Sequence, residues 1–140
     1  MEIIVMVGIP GSGKTTLVST RFPNHKRISL DALHSRQKED EEIASCLMSG
    51  KDMVIDNTNT TRRSRQKYVD MARLFGIPIR ALYIDCPVEV ALERNASRVG
   101  KERVPDKAVR FYNKIIQRPS VEEGFDSVEE ISCMTPPKIE

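Results

Sequence analysis

Gly8-Ile9-Pro10-Gly11-Ser12-Gly13-Lys14-Thr15 spells GxxxxGKT directly after the apolar run Ile3-Ile4-Val5-Met6-Val7. The order predicts a buried strand, a phosphate-binding loop and a helix over Thr15 to Arg21. Glycines let the loop backbone curl with its N–H groups turned inward toward phosphate oxygens. Lys14 then reaches the β- and γ-phosphates, and the Thr15 hydroxyl ligates Mg²⁺. A helix starting beside Lys14 adds the positive end of its dipole at the same spot. A chance match in a glycine-rich turn would lack the strand before and the helical run after. The candidate ATP contacts here are Gly8, Pro10, Gly11, Ser12, Gly13, Lys14, Thr15 and Thr16.

Outward from the loop, strand and helix signals alternate. Lys26 to Leu30 is a short second strand candidate, and Leu33 to Met48 reads as a helix stopped by Gly50. Met53-Val54-Ile55 is a third strand ending at Asp56. Thr60 to Phe75 is an amphipathic helix with Tyr68, Met71, Ala72 and Phe75 along one face, closed by Gly76. Ile79 to Ile84, Val88 to Arg98, Asp106 to Gln117 and Val128 to Cys133 follow as strand, helix, helix and edge strand. Crossover-length connections between strands imply an α/β fold with three layers, a parallel sheet of about five strands with helices on both faces. With the GxxxxGKT loop at its first strand, this arrangement resembles the P-loop NTPase fold of the nucleoside-kinase-like kind. The expected organisation is one domain over residues 1–140, with a charged, glycine-containing lid at about 98–105 and a flexible tail at about 134–140.

A chain of 140 residues has room for one core and no second catalytic domain. With 22 Lys plus Arg against 20 Asp plus Glu, the net charge of +2 announces no general affinity for nucleic acid, so any basic site must be local. No apolar run has the length of a membrane span and no export signal opens the chain, which makes no membrane partner and a cytoplasmic location the expectation. Three cysteines, Cys46, Cys86 and Cys133, fit neither a disulfide framework nor a zinc site. An aromatic content of 5% without tryptophan leaves little for stacking bases. Nothing in the sequence indicates an oligomeric state.

Ligands of parallel sheets sit beyond the carboxyl ends of the strands. Three polar groups fall there: the loop from Gly8, Asp31 after the second strand, and Asp56-Asn57-Thr58-Asn59 after the third. Phosphoryl transfer needs cations on the phosphates and a carboxylate to take the proton of the attacking hydroxyl. Asp31 is the candidate for that carboxylate because its strand follows the phosphate loop in sequence. Its plain competitor is a helix N-cap. Asp56 is placed to hold the water shell of the ion, with a turn role as the competitor. Thr15 and Asp31 are the candidate metal ligands. Asp31, His34, Arg36, Asp56, Asn57, Asn59 and Arg62 are the candidate residues on the acceptor side. Arg94 and Arg98, four apart, share a helix face and could close over the phosphates, although a solvated charged face is the ordinary use of such residues. Arg62, Arg63, Arg65 and Lys67 open the helix after Asp56, where positive charge is disfavoured unless an anion is near.

These residues together resemble the P-loop kinase domain of the polynucleotide 5′-hydroxyl kinases. Gly8 to Thr16 matches that family's phosphate loop, and Ser29-Leu30-Asp31 lies where the family has its general-base aspartate. Asp56-Asn57-Thr58-Asn59 looks like its aspartate, asparagine, threonine, asparagine block. Phe75-Gly76-Ile77-Pro78, Arg94 through Pro105 and Glu123-Gly124-Phe125 are similar as well. The resemblance implies transfer of the γ-phosphate of ATP, with Mg²⁺, to the 5′-OH end of RNA or DNA. Lys14 and Arg98 would then be catalytic beside Asp31. In the phage-type enzymes an arginine three residues after the base holds a 3′-phosphate; here the position is His34, and Arg36 or Lys38 could replace it. No phosphatase or ligase accompanies the kinase in these residues, so the expectation is a kinase working alone or with separately encoded partners. The same fold phosphorylates nucleosides, sugars, sugar nucleotides and antibiotics, which makes a small-molecule kinase the alternative. A non-catalytic nucleotide switch is a further one, though no NKxD guanine-reading segment is present.

Overall fold

The computed structural model describes residues 1–100 and 103–134, and its architecture follows from the first strand. β1 (Ile3–Val7) is five apolar residues, all buried, a composition suited to a strand covered on both faces. It takes the centre of a five-stranded parallel sheet in the order β2-β3-β1-β4-β5. The other strands are β2 (Lys26–Ile28), β3 (Met53–Ile55), β4 (Ile79–Asp85) and β5 (Ser127–Ser132). The polar strands fall at the edges: Lys26 and Arg27 of β2 are exposed, as are four of the six residues of β5.

The helices are α1 (Lys14–Arg21), α2 (Leu30–Leu33), α3 (Arg36–Ser49), α4 (Arg62–Phe75), α5 (Val88–Ala96) and α6 (Asp106–Ile115), with a 3₁₀ turn at Val121–Glu123. Side chains alternate across a strand, so β1 divides the core. Ile3, Val5 and Val7 pack with Ile43 and Cys46 of α3 and with Tyr68, Val69 and Ala72 of α4. Ile4 and Met6 pack on the other side with Leu17, Val18 and Phe22, from α1 and its end. A third cluster, Ile9, Cys86, Ala91 and Val109, brings α5 and α6 against the phosphate loop. The three-layer α/β fold expected from the alternation is the one observed. None of the described helices is long and apolar enough to cross a membrane.

The departures from expectation are local. The helix expected over Leu33 to Met48 is split in two, because His34 takes a left-handed φ of 64° and Ser35 restarts the chain by accepting a bond from the Lys38 N–H. α5 stops at Ala96 rather than Arg98. α6 stops at Ile115 rather than Gln117, because Ile116 has extended backbone. The expected lid includes residues 101–102 and the expected tail includes 135–140, and these lie outside the described residues.

Candidate active site

The carboxyl end of β1 turns directly into the loop, whose Gly8 N–H donates to the Thr58 carbonyl at 3.0 Å and ties it to the segment after β3. Gly11 has φ 84°, a left-handed value that suits glycine. A methyl group there would also strike the backbone carbonyl of Ala91 in α5. Gly13 caps α1 with no side-chain bond, leaving the first-turn N–H groups to the loop. Ser12 is buried and its Oγ has no hydrogen-bond partner. A buried hydroxyl without a partner fits a loop built to receive phosphate oxygens.

Lys14 Nζ donates to the carbonyls of Gly8 and Ile9, both at 2.9 Å. Burial pushes this ammonium down to about 8; Asp56 opposes the shift, Arg98 adds to it, and Asp31 opposes it. An anion bound against Lys14 raises its pKa again, so above pH 8 the filled site holds more protons than the empty one. ATP affinity is expected to be flat below about pH 8 and to fall by up to about tenfold per pH unit above it. Calorimetric titration at about pH 9 in buffers of different ionisation enthalpy reads the accompanying proton uptake, and an affinity unchanged across this range would contradict the buried ammonium.

The carboxylate that meets the loop is Asp56. Thr15 Oγ1 donates to Asp56 Oδ2 at 3.2 Å, and the Asp56 side chain is only 2% exposed. Two hard oxygen donors side by side next to a phosphate loop fit Mg²⁺, so Thr15 and Asp56 are the residues that would hold it. Of the two carboxylates that sequence reading placed near the ion, Asp31 as a ligand and Asp56 on its water shell, it is Asp56 that Thr15 bonds. β2 follows the loop in sequence but lies outside β3, so the residue after β3 reaches Thr15 and the residue after β2 does not. Asp31 stands exposed on α2, acting on Lys14 through space. Sequence reading missed Arg27, whose Nε donates to Asp56 Oδ2 at 2.7 Å.

The asparagines after Asp56 are occupied by the scaffold. Asn57 Oδ1 accepts the Leu30 N–H at 2.9 Å and its Nδ2 donates to Glu39 at 3.0 Å. Asn59 is buried and donates to the Met6 carbonyl at 2.8 Å. Their hydrogen bonds knit β1, α2 and α3 together. Glu39, another residue sequence reading missed, is fully buried beneath them. Burial opposes its charge, but bonds from Lys67, Asn57 and Tyr68 prevail and hold the carboxyl below its usual range. Arg36 is drawn into the same group, donating to Glu39 at 3.2 Å and to the Tyr68 hydroxyl at 3.3 Å. His34 is exposed at the end of α2.

Of the basic cluster on α4, Arg65 is fully buried on Glu123, and Lys67 bonds Glu39 and Asp40 at 3.1 Å each. That leaves Arg62 and Arg63 exposed at the helix start, with the Arg62 N–H held by Gln117 at 2.9 Å. On the other side of the loop, Gly13, Leu17, Ile84, Arg94, Arg98 and Ile131 line a cavity of about 310 Å³. Arg94 braces its rim by donating to the carbonyls of Ser12 at 3.4 Å and Cys133 at 2.8 Å. Buried Asn95 clamps Val104 through bonds of 2.6 and 3.0 Å, returning the chain to α5. The cysteines are free thiols, and burial pushes Cys86 up to about 12. Among the described residues no group of three His, Cys, Asp or Glu could hold a metal ion.

Comparison with known proteins places this geometry. The family model described as an AAA domain matches residues 40–119. The chain is 36% identical over 135 residues to the bifunctional polynucleotide phosphatase/kinase of Schizosaccharomyces pombe, a match covering 93% of this chain and 33% of that protein. It is 34% identical over 139 residues to a protein of Acanthamoeba polyphaga mimivirus assigned provisionally to the same bifunctional class, covering 94% and 33%. The chain thus spans about a third of the length of these curated relatives, and the resemblance read from its motifs is borne out. Among solved structures, a sugar kinase from Janibacter sp. superposes with a TM-score of 0.73 at 20% identity, covering 98% of this chain and 88% of that one. At that identity the likeness speaks for the fold.

Proposed function

Because this chain belongs to the AAA domain family, we propose that it is an ATP-dependent kinase that transfers the γ-phosphoryl group to the 5′-hydroxyl end of a polynucleotide. The observation that carries the proposal is the phosphate loop itself, in which Lys14 Nζ sits on the Gly8 and Ile9 carbonyls and the adjoining Thr15 bonds the buried carboxylate of Asp56. Identity to polynucleotide phosphatase/kinases along more than nine-tenths of the chain supports this acceptor over a small molecule. The loop N–H groups, the α1 amino end and Lys14 would take the phosphate oxygens, and Arg98 would face them across the cavity. Asp31 accepts the proton of the attacking hydroxyl as the new oxygen–phosphorus bond forms and the bond to ADP breaks. A Mg²⁺ ion held by Thr15 and Asp56 would offset charge on the phosphates.

Arg62 and Arg63, exposed at the start of α4, are candidate cations for the acceptor strand. A cytoplasmic site of action belongs to the same reading.

The test is incubation with γ-labelled ATP, Mg²⁺ and a short 5′-hydroxyl oligonucleotide, as RNA and as DNA. Labelled oligonucleotide is the expected result, with binding that weakens steeply as salt rises. Retained ATP binding without transfer to either strand would overturn the acceptor and turn the search to small alcohols.

A further inference from the structure

Asp56 is a carboxylate with almost no access to solvent, at the end of a strand whose three residues are wholly buried. A charge in that position needs a partner. Besides Thr15, the group that answers it is Arg27, reaching in from the edge strand β2. Arg27 Nε lies 2.7 Å from Asp56 Oδ2, and Arg27 Nη2 lies 3.4 Å from Thr15 Oγ1. The carboxylate oxygen it binds is the one that accepts the Thr15 hydroxyl. One guanidinium therefore covers both oxygens read above as the holders of a divalent ion. Its own side chain is 39% exposed, so it has solvent to withdraw into.

From this arrangement we propose that Arg27 is a built-in counter-cation that occupies the divalent-ion site of the nucleotide-free protein and must be displaced before Mg²⁺ binds there. The inference rests on the reading of Thr15 and Asp56 as the ion site. A guanidinium and a dication compete for one carboxylate oxygen, since like charges brought together repel strongly where solvent is scarce. The bare protein therefore presents an open ion site only in the fraction of molecules whose Arg27 has swung away, and its affinity for the ion falls by that fraction. ATP changes the balance, because its phosphates add anionic oxygens that attract the ion and offer the released arginine another partner. The ion consequently enters with the nucleotide rather than ahead of it. Until then Arg27 gives the buried Asp56 a direct ion pair.

Binding of Mn²⁺ to the nucleotide-free protein, read from the loss of the free-ion electron paramagnetic resonance signal, tests this without any turnover. Arg27→Gln is expected to bind Mn²⁺ about tenfold or more tightly than the wild type, which matches the removal of a competitor populated most of the time. Arg27→Lys, which keeps the cation, is expected to stay weak. The thermal midpoint of Arg27→Gln should rise on adding Mg²⁺ far more than that of the wild type, because the ion replaces the missing charge. Equal Mn²⁺ affinity in wild type and Arg27→Gln, with binding lost in Asp56→Asn, would keep the ion site and overturn the role of Arg27. Unchanged Mn²⁺ binding in Asp56→Asn would instead overturn the ion site itself, and the inference with it.

Discussion

Asp31→Asn is expected to abolish phosphoryl transfer while leaving ATP affinity nearly intact. The substitution removes a proton acceptor and leaves the shape of α2 alone, since the Asp31 side chain is exposed and the start of that helix is held by Asn57 on the Leu30 N–H. Asp31 meets Lys14 only through space, as one of the weaker influences on it. General-base catalysis is worth about 10² to 10⁴ in rate, so the single-turnover rate should fall by that much against an ATP Kd changed by less than about twofold. Lys14→Ala provides the contrast. It removes the ammonium that shapes the loop through the Gly8 and Ile9 carbonyls, and both affinity and rate should drop. Equal loss of rate and affinity in Asp31→Asn would sink the base assignment.

The largest effect on stability is expected at Arg65. This guanidinium is fully buried in α4, with Nε and Nη2 bonded to the two oxygens of Glu123 at 2.8 and 2.9 Å. Its Nη1 donates to the carbonyls of Asn59 at 2.8 Å and Gln117 at 3.0 Å. It thus joins the loop after β3, the end of α6 and the 3₁₀ turn. Arg65→Ala would strand the Glu123 carboxylate and two carbonyls in the interior. Breaking a buried pair from one side costs about 3–5 kcal/mol, a large share of the roughly 5–15 kcal/mol that holds a domain folded. Urea unfolding measures it directly. Arg65→Met combined with Glu123→Leu should recover much of the loss, because no charge is then left unpaired. A cost below about 1 kcal/mol for Arg65→Ala would mean that water reaches the stranded groups.

The same residue illustrates where reading a chain by itself stops. On α4, Arg62, Arg63, Arg65 and Lys67 form one basic run at the start of a helix, a pattern that suggests an anion nearby. Arg65 turns inward to Glu123, 58 positions away, and Lys67 turns to Glu39, 28 positions away. No local periodicity reports such partners. The asparagines after Asp56 behave likewise, since their short amides serve substrate or scaffold equally well as a string of letters. Only the neighbouring Met6 carbonyl, Leu30 N–H and Glu39 decide between the two. Glu39 itself lies in a run of charged residues, Lys38-Glu39-Asp40-Glu41-Glu42, with nothing to distinguish it before α3 and α4 pack.

What the sequence determined alone is the set of features whose physics is local. An unbroken apolar run must be covered on both faces, so β1 had to be central. A GxxxxGKT turn between strand and helix curls in one way because its glycines and the helix start dictate it. The amphipathic face of α4, with its glycine stop, follows from side-chain spacing in the same manner. The order of strands, by contrast, is settled by which apolar faces pack together over long separations in sequence. That order sets β3 beside β1 and moves β2 to the edge. Asp56 rather than Asp31 therefore meets Thr15, and Arg27, coming from the edge strand, reaches across to the pair they form.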